Sequence, residues 1–265
     1  MKRPKVIILS GYGLNCEEET ALAFELAGGE SEIVHINDLI ENKNKLQRYQ
    51  ILAIPGGFSY GDDIGSGRAY ANKLNNHLKH KLLEFARKDK LIIGICNGFQ
   101  ILTQTGLLPG ALTNNTNARY TVRWVDVRIP PLAKGGRGGV ISPWLKGITQ
   151  LSLPIAHGEG KFMASADVIK TLKRHNQIAG VYYKGDICRY QNLTPNPNGS
   201  TLDIAMITSA NGKILGTMPH PERAMFFTQL PNWSLLKEKY LRAGKPLPRE
   251  AQGLKIFKNA VEYFK

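Results

Sequence analysis

Residues 91–100, Leu-Ile-Ile-Gly-Ile-Cys-Asn-Gly-Phe-Gln, restrict the fold more than any other part of this 265-residue chain. A continuous apolar run ends in Cys96, with Gly94 two positions before it and Gly98 two positions after it, and a helical pattern starts at once. An apolar run without alternation describes a strand buried on both faces. With no connecting loop, the turn from strand to helix forces its central residue into an uncomfortable backbone conformation, which small neighbours must tolerate. It projects that side chain above the sheet at a helix N-terminus. Cys96 is therefore either a buried structural cysteine or a nucleophile aimed by its turn, and the rest of the chain has to choose.

The flanking pattern predicts alternating strands and helices. Residues 5–10 read as a buried strand, 17–26 as a helix closed by Gly28-Gly29, 33–36 and 50–54 as strands, and 68–87 as a long helix. Such alternation implies right-handed crossovers and a parallel sheet covered on both faces. Further on, 120–129 reads as a strand with Val122, Trp124 and Asp126 on one face, and 153–160 and 177–183 as further strands. A helix is expected at 167–174. Asn211-Gly212 joins two apolar runs into a hairpin. Helices at 233–242 and 253–264 read as a cap on the sheet. No domain boundary interrupts the chain, so it reads as one domain over 1–265, with a basic loop at about 130–140 and a C-terminal helical extension at about 226–265.

Composition narrows the class. No run reaches the roughly 18 apolar residues of a membrane span, and Met1-Lys2-Arg3-Pro4 leads straight into a strand instead of a signal-peptide core, so a cytoplasmic location is expected. Cys16, Cys96 and Cys188 are distant and odd in number, which suggests neither a disulfide framework nor a zinc site. A formal net charge of +14 admits an acidic partner, a phosphorylated ligand or nucleic acid. The basic residues lack the interleaved aromatics of a base-stacking platform, which disfavours the last.

Two other stretches carry chemistry. Pro55-Gly56-Gly57-Phe58-Ser59-Tyr60-Gly61-Asp62-Asp63 follows the third strand, and consecutive glycines let backbone N–H groups turn toward one anion. It lacks the Gly-Lys-Ser/Thr ending of a nucleotide-binding loop. Pro219-His220-Pro221-Glu222 stiffens an imidazole and a carboxylate two positions apart, and in extended backbone they point the same way. Cys96, His220 and Glu222 then supply nucleophile, base and orienter, with the N–H groups of Gly57 and Asn97 as oxyanion donors. The implied reaction is acyl transfer from an amide or ester to water.

These residues resemble a family. Gly94-Ile-Cys-Asn-Gly-Phe-Gln100, with Pro55-Gly-Gly57 before it and His220-Pro-Glu222 after it, is similar to the class I (triad) glutamine amidotransferases. Further blocks resemble one branch, the glutaminase subunits of phosphoribosylformylglycinamidine synthases: Pro55–Asp62, Leu107–Gly110, Pro154–Gly160, Asn196–Ser200 and Met218–Arg223. The resemblance spans residues 5 to 225. It implies an α/β fold with an open, mostly parallel, flavodoxin-like sheet flanked by helices and carrying an antiparallel extension. It also implies that Cys96 attacks the glutamine carboxamide, His220 shuttles the proton, Glu222 orients His220, and Gln100 helps hold glutamine. His157 and Glu159 fall in a shared block and are expected beside the site; Cys16 is expected to be non-catalytic. No cofactor or metal is implied for this chain. ATP and magnesium belong to a separate synthetase subunit, joined in some organisms by a small accessory subunit, with no nucleic-acid or membrane partner. The net charge suits an acidic partner surface, and the basic loop and the tail beyond Met225 exceed the compact family pattern. Rival readings at this stage are another class I amidotransferase, a cysteine hydrolase of similar fold, and a non-enzymatic nucleic-acid binder supported by charge alone.

Overall fold

The computed structural model describes residues 3–62, 65–131 and 142–265. Most of the basic loop expected at about 130–140 lies outside the described residues. In chain order the main elements are β1 (Lys5–Ser10), α1 (Glu17–Leu26), β2 (Glu30–His35), α2 (Ile36–Glu41), β3 (Ile51–Ile54), α3 (Arg68–Arg87), β4 (Leu91–Ile95) and α4 (Asn97–Gln104). They continue with β5 (Ala111–Thr113), β6 (Thr121–Arg128), β7 (Gln150–His157), β8 (Lys161–Met163), α5 (Ala166–Arg174), β9 (Ile178–Tyr182) and α6 (Asp186–Gln191). The chain ends with β10 (Ile204–Thr208), β11 (Ile214–Thr217), α7 (Trp233–Arg242) and α8 (Leu254–Glu262).

Among the described residues one large sheet runs β2-β1-β3-β4-β11-β10-β9-β6-β7, and β5 pairs with β8 separately. The β2-β1-β3-β4-β11 half is parallel. From β11 onward every neighbour is antiparallel. Burial follows this division. β3, β4 and β11 are buried at every position because helices cover both faces, whereas β7 alternates between buried and half-buried. The expected mostly parallel sheet with an antiparallel extension is thus the architecture observed.

The α4 entry is the tightest packing in this core. A Cβ on Gly98 would lie 1.8 Å from the Ile54 carbonyl oxygen of β3, and one on Gly94 would lie 2.5 Å from the Gly98 oxygen. Both glycines are therefore required by close approach of α4 to β3 and β4.

Several boundaries differ from the sequence expectation. The second strand is Glu30–His35, and Ile36 already belongs to α2, whose Asn37 N–H is capped by the His35 ring. β2 is an edge strand that leaves Glu30, Glu32 and Ile33 in solvent, so its apolar signal is diluted. In β6 the expected apolar face fails at Val122, which is 70% exposed, while Val125, Asp126 and Val127 are buried. Only the C-terminal end of β6 is flanked on both sides, by β7 and β9. Helix α6 and the β5–β8 pair were not anticipated, being too short to show a period. The C-terminal extension divides in two. α8 buries Leu254, Ile256 and Phe257, with Phe257 edge-on to Phe24 of α1, but α7 buries no residue.

Replacing Gly98 by alanine should cost about 3 kcal/mol or more, because the obstacle is a backbone carbonyl in a strand that cannot retreat. Urea denaturation of the G98A variant against wild type reads the loss, and an unchanged midpoint would contradict the close approach.

Candidate active site

The carboxyl ends of β1, β3, β4 and β11 lie side by side, and the four loops leaving them converge. Those loops deliver Cys16, Gly56-Gly57, Cys96 and His220, respectively.

Cys96 caps α4 with φ 51° and ψ −105°. A left-handed φ at a non-glycine residue costs on the order of 1–3 kcal/mol and persists only where the surroundings enforce it. Here the Cys96 N–H donates to the Thr217 carbonyl at 2.7 Å and its own carbonyl accepts from the Phe99 and Gln100 N–H groups. The turn therefore belongs to both β11 and α4. The sulfur is nearly buried and approaches the Ala156 carbonyl at 3.8 Å. The first two N–H groups of α4, those of Asn97 and Gly98, have no acceptor within the helix.

His220 and Glu222 are brought together as expected, though by different local geometry. His220 precedes a 3-10 turn, Pro221–Arg223, with Pro221 at its first position, so the pair is joined across a helical turn instead of along extended backbone. Nδ1 of His220 lies 2.6 Å from Oε1 of the fully buried Glu222. Nε2 of His220 and Oε2 of Glu222 have no hydrogen-bond partner among the described residues. Burial works against charge on His220, but Glu222 and the Cys96 and Cys16 thiols outweigh it and hold the imidazole well above its ordinary pKa.

Gly57 has φ 150°, and a Cβ there would meet the Gly13 carbonyl at 2.3 Å. Its loop is tied down by the bond from the Phe58 N–H to the Gly13 carbonyl and by an isolated bridge to Leu14. The expected adjacency of the glycine loop and the cysteine strand follows from the β3–β4 pairing.

The remaining predicted residues are structural neighbours of this centre. Gln100 is buried with both ends of its amide engaged: Oε1 accepts from Asn97 at 2.8 Å and Nε2 donates to the Glu159 carbonyl at 2.6 Å. The Glu159 carboxylate in turn accepts from the Ser66 N–H at 3.1 Å. His157 is buried, with Nδ1 3.1 Å from Asn115 Oδ1. Because that oxygen only accepts, Nδ1 carries a proton, and burial disfavours a second one on the ring.

Sequence reading missed the cavity beside these residues. About 410 Å³ in volume, it is lined by Phe58, Asp62, Ser66, Arg119, Tyr120 and Glu159, among others. Tyr120, in its wall, lies within electrostatic reach of Cys96 and His220, and Glu159 joins the cavity to Gln100 on α4. Asp62 belongs to the glycine-rich loop after β3, whereas nothing in the residue pattern around Arg119 points to a site. Burial, opposed by the Ser66 bond and reinforced by Glu159, raises the Asp62 carboxyl.

Among the described residues Cys16, His220 and Glu222 form a group of potential metal donors, lying within 4.8 Å of one another. Two features oppose a cation there. His220 and Glu222 already engage each other, and the Arg223 guanidinium stands 3.1 Å from the Cys16 sulfur.

Comparison with known proteins agrees with this geometry. Residues 3–264 match the family described as the CobB/CobQ-like glutamine amidotransferase domain. A protein named phosphoribosylformylglycinamidine synthase subunit PurQ, from Methanococcus maripaludis, is 47% identical, with 98% of each chain covered. One of the same name from Dehalococcoides mccartyi is 42% identical over 99% of this chain and 98% of its own. The solved structure of PurLQS from Thermotoga maritima contains a chain that matches with a TM-score of 0.73 at 28% identity, both chains covered in full.

Burial, aided by the nearby His220 charge, lowers the pKa of His157 to about 4 from the ordinary 6.5. As pH falls from 6.5 toward 4, the unfolded chain binds a proton that the folded chain refuses, so stability is lost through that window. A His157→Gln variant can keep the Asn115 bond but cannot titrate. It should lose about 3 kcal/mol less than wild type between those two pH values, the other groups being common to both. Urea denaturation at each pH measures the difference, and equal losses would refute a buried neutral ring.

Proposed function

The chain belongs to the CobB/CobQ-like glutamine amidotransferase family, and from that premise we propose how its site works: it is the glutaminase subunit of a phosphoribosylformylglycinamidine synthase. It hydrolyses glutamine and releases ammonia for a separate synthetase subunit in purine biosynthesis. The names and near-complete coverage of the relatives support the assignment. The observation that carries the chemistry is the convergence of a strained Cys96 at the head of α4 with a buried His220–Glu222 pair whose Nε2 is unpartnered.

In the proposed reaction His220, whose raised affinity for a proton lets it hold the one given up by Cys96, faces the sulfur as Sγ attacks the glutamine carboxamide carbon. The carbonyl electrons move onto oxygen, and the N–H groups of Gly57 and Asn97 stabilise that oxyanion. When the intermediate collapses, the C–N bond breaks and His220 returns its proton to the leaving nitrogen, giving ammonia and a thioester. Water then attacks the thioester with His220 as base, and glutamate leaves. Glu222 holds the ring by Nδ1 throughout, so that Nε2 faces the reacting atoms and the imidazolium is stabilised.

The cavity beside Cys96 suits the amino-acid end of glutamine. Arg119 offers a cation for the α-carboxylate. Asp62 and Glu159 repel each other across the opposite wall, and a ligand ammonium between them relieves that repulsion. Gln100 is held by Asn97 and holds the Glu159 backbone, and its amide keeps a second N–H and a second lone pair with which to meet glutamine. ATP and magnesium act on the partner synthetase, and a small accessory subunit completes the assembly in some organisms. The +14 charge favours an acidic docking surface on the synthetase, and association should weaken as salt rises. No helix among the described residues is long and apolar enough to cross a membrane, in keeping with soluble partners.

Cys96→Ala and His220→Ala should each reduce glutamine-dependent amination by the complex at least about 10³-fold, with Glu222→Ala milder at about 10²-fold. Ammonia-dependent amination should survive in all three. Loss of both activities would mean that these residues support assembly and not hydrolysis. Arg119→Ala should raise KM for glutamine about tenfold or more with kcat little changed, because it removes binding common to ground and transition states. Steady-state kinetics at saturating synthetase separates the two parameters, and an unchanged KM would remove Arg119 from the pocket.

A further inference from the structure

Behind the catalytic histidine lies a second set of contacts that the reaction does not use. Arg223, the last residue of the 3-10 turn that carries Glu222, reaches across to the start of α1. Its Nε and Nη2 donate to Glu19 Oε1 at 3.2 and 3.0 Å, and Nη2 also donates to Cys16 Sγ at 3.1 Å. Burial raises the Cys16 thiol, so it stays protonated and donates to Asn15 Oδ1 at 3.5 Å. Cys16 is thus a neutral bridge and not a competing nucleophile.

The same thiol touches the other side of the site. The backbone N–H groups of Asn15 and Cys16 both donate to the Gly56 carbonyl, at 3.1 and 3.3 Å. A Cβ on Gly56 would stand 3.2 Å from Cys16 Sγ and 2.7 Å from His220 Cε1. The Cys16 sulfur and the Gly56 backbone therefore form the wall behind the His220 ring. Gly57, the proposed oxyanion donor, is the next residue of that wall.

We propose that Arg223 is a positioning residue: clamped between Glu19 and Cys16, it sets the catalytic imidazole and the Gly56-Gly57 oxyanion loop in register with each other. The contacts close a ring from the 3-10 turn through Arg223 to Glu19 and Cys16, from Cys16 to Gly56, and from Gly56 back to His220. Without the guanidinium fork the ring is open on the α1 side, and the base loses its backing. A displacement of order 1 Å suffices to cost about a hundredfold in rate. The proposal rests on the glutaminase reading and adds to it a residue that touches neither glutamine nor the reacting atoms.

The test compares wild type, Arg223→Ala, Arg223→Lys and Glu19→Gln in the assembled complex. It measures glutamine-dependent kcat and KM, the pH profile of kcat/KM, and the rate at which a glutamine-mimicking electrophile modifies Cys96. Arg223→Ala should lower kcat about 10- to 100-fold with KM little changed. It should also move the acid limb of the profile to higher pH, since removing a cation beside Glu222 and Cys16 favours protonated forms nearby. The groups facing His220 are Glu222 on its own turn, Cys96 on α4 and Cys16 on α1, with His157 on β7 and Tyr120 before β6 within electrostatic reach. Arg223→Lys keeps the charge and loses the fork, so the acid limb should stay in place while kcat recovers only in part. Wild-type kcat and pH profile in Arg223→Ala would overturn the proposal, as would a rise in KM alone, which would make Arg223 a glutamine-binding group. If Arg223→Ala fails to fold, Glu19→Gln opens the same clamp more gently. A several-fold fall in kcat at unchanged Tm supports the proposal, and wild-type kinetics overturns it. Absence of Cys96 modification and of glutamine hydrolysis in the wild-type complex would instead defeat the glutaminase reading itself, and the proposal with it.

Discussion

The site depends on one close approach: the first turn of α4 lies directly against β3 and β4, with Gly98 under the Ile54 carbonyl and Gly94 under Gly98. Any side chain at either glycine would push α4 off the sheet. With the helix seated this deeply, the chain has a single residue in which to reverse from strand to helix. That residue is Cys96, and its φ of 51° follows from the packing. The strain is held in place by hydrogen bonds to β11 on one side and to α4 on the other. The result is a sulfur fixed at the mouth of the sheet, beside the Asn97 and Gly98 N–H groups that find no acceptor within the helix.

The parallel half of the sheet does the rest of the positioning. Parallel strands send their carboxyl ends in one direction, so the loops after β1, β3, β4 and β11 meet without any long insertion. The proposed base, orienter, oxyanion loop and nucleophile come from three of these loops, and the fourth supplies Cys16. The antiparallel half contributes differently. β7 ends in His157, and the turn after it carries Glu159 to the cavity where Arg119 and Asp62 also project. The cavity that we assign to glutamine thus draws on both halves of the sheet, with Phe58, Asp62 and Ser66 from the loop after β3 and Arg119, Tyr120 and Glu159 from the segments before β6 and after β7.

Much of this was legible in residue patterns because the local physics is strong. Fully buried strands read as unbroken apolar runs, the Asn211-Gly212 turn marked its hairpin, and glycines around Cys96 marked the turn. What was illegible had weak or competing local signals. β2 looks half polar because it is an edge, and Val122 looks like a core residue although its end of β6 has a neighbour on one side only. The contacts of the Gln100 amide with Asn97 and the Glu159 carbonyl join residues that no local pattern connects. Arg119 looked like one more surface cation in a chain that carries 35 basic residues, and Arg223 ended a family-like block with nothing to show what it touches.

The sequence by itself determined the fold class, the strand-to-helix turn at Cys96 and which three residues we propose as the triad, because each rests on short-range constraints: burial period, glycine placement and the stiffness of a Pro-His-Pro segment. Only the tertiary structure decided how His220 and Glu222 meet, across a 3-10 turn instead of along a strand, and that Cys16 stands behind the base. It alone assembled the cavity from residues 58 to 159 and the clamp that joins Arg223 to Glu19, 204 positions apart. Contacts over such separations depend on which strands become neighbours and how their loops converge, and no local pattern in the chain records that.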